Sequence, residues 1–544
     1  MDVVRPLRKT PTSEIGDVVT EDQVATPTAI APKTQREYLL QSRWFILFFS
    51  VLSMVAVANL QYGWTFFVPS IVKKLNSTVG LVQITFFLFV LLETWLVPFE
   101  GYLVDKFGPR RLVLVGGVFA ALGWIGAGLA GDLTSLYLTY SLAAIGAGIV
   151  YGTAIGNALK WFPDHRGLAA GLTAAGFGAG SALTVAPIAD MIATSGYQMT
   201  FIQWGIIQGA IVILAALFLR APPAGWLPRT WTLEAQASVV KKRQTGLDFT
   251  PQEMSATSNF WVLYLLMTLV ATGGLMATAA LVPMAQEFKV DKYPINFLWV
   301  ALPAATFAGA LDRVVNGFIR PMWGWISDHI GRELTMTIAF ALEALAIFLL
   351  TRFATDPVLF VVFTGFTFFG WGEIYSLMPA TVGDFFGRKY ATTNYGYLYT
   401  AKGTASVFVP IGAALATGAA FDFRADILLL VGGLVVFYTL FFGPSVLKRS
   451  MSSGARKVLF GIGGVLVLYG LALTVWQDQL PPGGVAKWTV PAIGYQGVFG
   501  IAAAFDVIAA LIAFFVLRRM RVPEGGRRPS VADATAVPVA ASAE

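Results

Sequence analysis

Two cations stand where a chain of this composition should carry none. Lys402 lies in "YLYTAKGTASVFVP" and Arg320 in "NGFIRPMWGWISDHIGRE", each within an otherwise apolar run. A charged side chain at bilayer depth costs about 2.5–3.5 kcal/mol on insertion scales, so a retained cation calls for a task. Either it binds an anion or it neutralises a nearby acid, and Asp312, Glu343, Glu373 and Asp506 are acids in apolar surroundings. A guanidinium and an ammonium together suit a compact dianion: Arg320 can give one carboxylate a planar two-point bond while Lys402 meets the other. A single lysine would suit a monocarboxylate. Arg313 adjoins Asp312, and a structural contact with that acid stands level with a cavity role.

Aromatic residues share the faces of these cations. Tyr395, Tyr399 and Lys402 are spaced i, i+4, i+7, and Trp371 and Tyr375 i, i+4. Such stripes commonly serve packing, but a buried tyrosine hydroxyl also wants a partner.

The elements that must position these residues are membrane-spanning helices. The chain is 56% hydrophobic and 13% charged, with no cysteine and two histidines. Soluble domains carry about 25% charged residues. Thiolate metal sites, cysteine nucleophiles and disulfides are excluded, and His165 and His329 both fall in polar connections, so no metal site or catalytic relay is expected. About fourteen apolar segments of about 18 to 28 residues recur from Trp44 to Val516, each long enough to cross a bilayer as helix. They lie near 44–68, 80–103, 112–131, 135–159, 168–192, 199–219, 259–285, 297–323, 334–351, 358–380, 392–416, 426–443, 457–476 and 497–517. Residues 1–43 and 518–544 are polar and read as disordered cytoplasmic tails.

Basic residues crowd alternate connections, among them Arg110, Arg111, Lys241, Lys242, Arg243, Arg332, Arg388 and Lys389, which places both termini inside. The net charge of +7 is thus a topology signal and no argument for nucleic acid. The glycine runs "GFGAGS" and "GIGG" lie inside spanning segments, follow no strand and read as close helix packing, not as a nucleotide loop. No cofactor is expected, and no phosphate-binding loop that would support ATP hydrolysis is present.

A repeat divides the chain. "GYLVDKFGPRR" closes the second segment and "GWISDHIGRE" the eighth; Gly101, Asp105 and Gly108 recur as Gly324, Asp328 and Gly331, each set followed by basic residues. Two six-helix halves follow, at 44–219 and 259–517, with a cytoplasmic linker at 220–258.

This repeated loop resembles that of the major facilitator superfamily. Within it, "NLQYGWTFFVPS", "WLVPFEGYLVDKFGPRR", "GNALKWFPDHRGLAAGL", "NGFIRPMWGWISDHIGRE" and "YGYLYTAKGTAS" resemble the oxalate/formate antiporter family. The resemblance covers roughly residues 40–418 and resumes at about 495. It implies an all-α facilitator fold and a midplane cavity lined by Arg320, Lys402, Gln61, Tyr62, Gln83, Tyr151, Trp371, Tyr375 and Tyr399. It also implies gating loops that use Asp105, Arg111, Asp328 and Arg332. The family's common form has twelve helices, so residues 421–490 read as an inserted helix pair. The expected activity is antiport of small carboxylates, oxalate against formate, by a monomer in the cell inner membrane. Exchange is expected because two bare cations facing each other would disfavour the unloaded, occluded carrier. The alternative is a proton-coupled lactate- or pyruvate-type carrier, with Glu93, Glu343 or Glu373 as proton site.

Overall fold

Within a bilayer every backbone N–H and C=O must be paired inside its own segment, so apolar runs of this length fold as helix. The computed structural model describes residues 42–162, 166–223, 247–298, 300–387, 390–418 and 492–520, with short pieces between 420 and 489. Helices α1 (Arg43–Tyr62) and α2 (Trp64–Lys74) form one rod broken at Gly63, and α3 (Val79–Trp95) and α4 (Val97–Phe107) a second broken at Leu96. They are followed by α5 (Pro109–Leu129), α6 (Leu133–Trp161), α7 (Arg166–Ala179) and α8 (Val185–Ala216), the last interrupted at Gly196.

The second half opens with the short α9 (Pro251–Ser255) and continues through α10 (Ser258–Glu287), α11 (Ala304–Ile330) and α12 (Arg332–Phe353). Two more broken rods come next, α13 (Pro357–Trp371) with α14 (Ile374–Phe386), and α15 (Ala391–Ala405) with α16 (Phe408–Thr417). Helix α17 (Gly494–Phe515) closes the bundle against α12 and α10. Among the described residues, nine helical spans are long and apolar enough to cross a membrane.

The repeat is structural. Gly108 and Gly331 both adopt left-handed φ, +79° and +96°, with nearly equal ψ of 159° and 153°. Only glycine takes this conformation without strain, and in each half it turns the chain directly into the next helix.

One expected boundary is wrong. Strand β1 (Pro294–Phe297) pairs antiparallel with β2 (Val300–Pro303), and α11 starts only at Ala304 rather than near 297. Proline at both ends of "PINFLWVALP" blocks helix entry, and a short apolar run does not distinguish strand from helix by periodicity. The expected tails, the central part of the linker and most of the inserted pair lie outside the described residues. Strands β3 (Ala420–Phe421) and β4 (Trp488–Thr489) pair antiparallel.

The halves meet where α7 packs on α11, α2 on α10, and α3 on α15 and α16. Toward the end away from the glycine turns, Thr65 Oγ1 accepts from Val282 N at 3.0 Å and Gln83 Nε2 donates to Ala279 O at 2.8 Å. Nearer the turns, Trp95 Nε1 donates to Thr400 O at 3.0 Å. Lys402 and Arg320, each 1% exposed, are enclosed between these seams.

Candidate substrate site

Lys402 occupies the last turn of the short α15, where the negative end of the helix dipole favours an ammonium. Its Nζ donates to Gln61 Oε1 at 2.9 Å, Glu93 Oε2 at 2.9 Å and Tyr399 OH at 3.2 Å, so all three N–H bonds have acceptors. Glu93 is itself fully buried. Of the two roles open to Lys402, contact with an acid is met, but the acid is Glu93 of the opposite half rather than Asp312, Glu343, Glu373 or Asp506.

Arg320 has no carboxylate partner among the described residues. Its Nε donates to Asn316 O at 3.1 Å, one terminal nitrogen to Asn316 Oδ1 at 3.4 Å, and the other to Ala174 O in α7 at 2.8 Å. The guanidinium carbon stands 4.4 Å from the Tyr375 ring centroid, and the Lys402 ammonium 5.9 Å from the same centroid. One aromatic ring thus contacts both cations. Arg313 lies 4.3 Å from the ring centroids of both Tyr62 and Phe368. Its guanidinium nitrogens find no acceptor among the described residues, so of the two roles weighed for it an Asp312 hydrogen bond is not formed.

The other expected residues assemble unevenly. Tyr399 stacks on Tyr151, and Trp371 meets Tyr375 edge-on with centroids 5.2 Å apart. Tyr62 OH accepts from Asn316 Nδ2 at 3.2 Å. The Gln61 amide nitrogen, Trp371 Nε1 and Tyr375 OH are buried without partners among the described residues, donors that a bound oxygen-rich anion could engage. Gln83 does not join them: Trp64 Nε1 occupies its oxygen at 2.9 Å and Ala279 O its nitrogen, so it ties the halves together instead.

Two residues escape a reading by motif. Phe177 lies 5.8 Å from Lys402 Nζ and packs against Tyr62 and Tyr151, yet it sits in the glycine run read as packing. Asn316 touches both Arg320 and Tyr62 and is detectable as the residue one helical turn before Arg320.

At the turns, Arg332 pairs with Asp328 at 2.8 Å and Asp384 at 3.2 Å, and also bonds Ser327, all within the second half. Arg111 is exposed, and the Asp105 side chain lies outside the described residues.

Two helical halves closing over a buried pair of cations define a secondary transporter of the facilitator type. Residues 44–410 match the family model described as Major Facilitator Superfamily. The chain is 36% identical over 389 residues to the oxalate:formate antiporter of Oxalobacter formigenes, spanning 71% of this chain and 88% of that protein. It is 27% identical over 299 residues to monocarboxylate transporter 13 of Rattus norvegicus, spanning 54% and 64%. In fold it is similar to a bacterial homolog of the human lysosomal transporter Spinster, in its inward-facing and occupied conformation. That match has a TM-score of 0.59 at 14% identity, covering 89% of this chain and 99% of the other. The chain is a multi-pass membrane transporter of the major facilitator superfamily and belongs to its oxalate/formate antiporter family.

Proposed function

We propose that this transporter exchanges small carboxylate anions by alternating access, taking oxalate in one direction and formate in the other. The observation that carries the reading is the convergence of Arg320 and Lys402 on the Tyr375 ring, enclosed between the two halves. Arg320 has no acid partner among the described residues and can take a carboxylate in planar two-point contact, while Lys402 takes the far carboxylate. The 36% identity to an oxalate:formate antiporter supports the same substrates. We place the carrier in the cell inner membrane as a monomer with both termini cytoplasmic, and assign Arg111 and Arg332 with their acidic neighbours to the gating turns. Labelled oxalate counterflow in proteoliposomes preloaded with formate or oxalate is the test. Lack of counterflow with either anion would reject the substrate assignment.

A second reading, proton-coupled monocarboxylate transport, is favoured by one observation: a buried carboxylate, Glu93, already holds Lys402. Accumulation driven by a pH gradient and indifferent to internal formate would select it.

A further inference from the structure

We propose that Glu93 is a built-in substitute for the substrate carboxylate. Ionised, it neutralises Lys402 while the carrier changes face unloaded; protonated, it releases Lys402 to the transported anion. The proposal rests on the carboxylate-exchange reading above and adds a coupling rule to it.

Lys402 has three N–H bonds and three acceptors, so a guest carboxylate must displace one of them. Gln61 and Tyr399 are neutral; Glu93 is the acceptor that competes in kind. If both carboxylates stayed ionised at one ammonium, their repulsion at about 4 Å would be about 4 kcal/mol at an effective dielectric constant of 20. A proton on Glu93 removes that cost.

The surroundings allow it. Glu93 Oε1 is buried without a hydrogen-bond partner among the described residues. Among the described residues, the charged and titratable groups facing Glu93 are Lys402, Tyr399, Tyr151 and Glu100. Glu100 lies on the same rod, and both its carboxylate oxygens are also buried without partners. Both acids back onto α6 at Gly148, where a Cβ would come 2.8 Å from Glu100 Oε1 and 3.3 Å from Glu93 Cα. Lys402 pairs with Glu93 alone, and among the described residues Glu100 has no cation partner.

The step balances simply. A water-borne proton bonds to Glu93 Oε2, the Nζ–H···Oε2 bond breaks, and the same N–H donates to a substrate oxygen. The ammonium keeps its three protons. When an anion rides in each direction, Glu93 stays protonated throughout and no proton is delivered. When the carrier returns unloaded, Glu93 must ionise to cover Lys402, and its proton is left behind with the anion. One site thereby performs anion exchange when a counter-anion is present and proton–anion symport when it is absent.

The test uses full-length protein in proteoliposomes, labelled oxalate, a pH dye in the lumen, and valinomycin with equal potassium on both sides. The expected wild-type result is exchange without lumenal acidification in oxalate-loaded vesicles. In vesicles without a counter-anion we expect slower net uptake, with one proton entering per oxalate. Glu93→Gln should lower the ratio of net uptake to exchange at least tenfold and end the acidification. Wild-type exchange accompanied by proton-free net uptake, or an unchanged ratio in Glu93→Gln, would overturn the proposal. Should Glu93→Gln prove inactive in both modes, the wild-type proton count alone decides. Failure of all oxalate and formate exchange would instead bring down the substrate reading, and this proposal with it.

Discussion

Tyr151 and Tyr399 stack face to face across the boundary between the halves, with ring centroids 5.4 Å apart and planes 4° from parallel. Tyr399 also accepts a hydrogen bond from Lys402 at 3.2 Å, so one side chain both closes the site and orients the ammonium. An aromatic pair contributes about 0.5–1.5 kcal/mol beyond burial, enough to favour closure yet weak enough to part in every cycle.

Tyr399→Phe keeps the ring and should change oxalate counterflow by less than about threefold. Tyr399→Ala removes the stack and should slow it by about tenfold, the upper end of that range. Initial rates at matched expression separate the two, and equal losses would shift the weight from the ring to the hydroxyl.

Lys402→Gln should abolish oxalate counterflow and lower the thermal midpoint in detergent, because Glu93 is left as a buried acid without its cation. Breaking a buried pair in this way costs about 3–5 kcal/mol. Adding Glu93→Gln should restore most of the midpoint without restoring transport. A double variant as unstable as Lys402→Gln would show that the pair contributes no coupling.

Arg320→Lys keeps the charge but loses the planar fork and the bond to Ala174 O. Oxalate transport should fall at least tenfold and by more than formate transport, measured as competing half-saturation concentrations. Equal losses would assign Arg320 to holding α7 against α11.

Oxalate entering as a dianion against formate carries one negative charge inward per cycle. A potential is worth about 2.3 kcal/mol per charge per 100 mV, so 60 mV, interior positive, should raise the equilibrium oxalate ratio about tenfold. Oxalate-for-oxalate exchange in the same vesicles should show no such shift. A valinomycin-imposed potassium gradient with labelled oxalate reads both.

The cations, the aromatic residues and the repeat were legible because each breaks a pattern: a charge in an apolar run, or Gly331 repeating Gly108. The partner of Lys402 was not, since Glu93 lies 309 residues away and carries no local sign of the helix face it occupies. Gln83 misled for a related reason: depth in a helix indicates burial, whereas its partners Trp64 and Ala279 depend on tertiary packing. The hairpin at Pro294–Pro303 was hidden inside an apolar run that satisfies a helix template except at its prolines.

The rods broken at Gly63, Leu96, Gly372 and Ser406 are interrupted close to Tyr62, Glu93, Trp371 and Lys402. At each break the backbone keeps right-handed helical torsions, so the two pieces remain one continuous rod. The 11-residue α2 is about 16 Å long at 1.5 Å per residue, so a 15° tilt about Gly63 would carry its far tip about 4 Å. A movement of that size is on the scale of a small carboxylate.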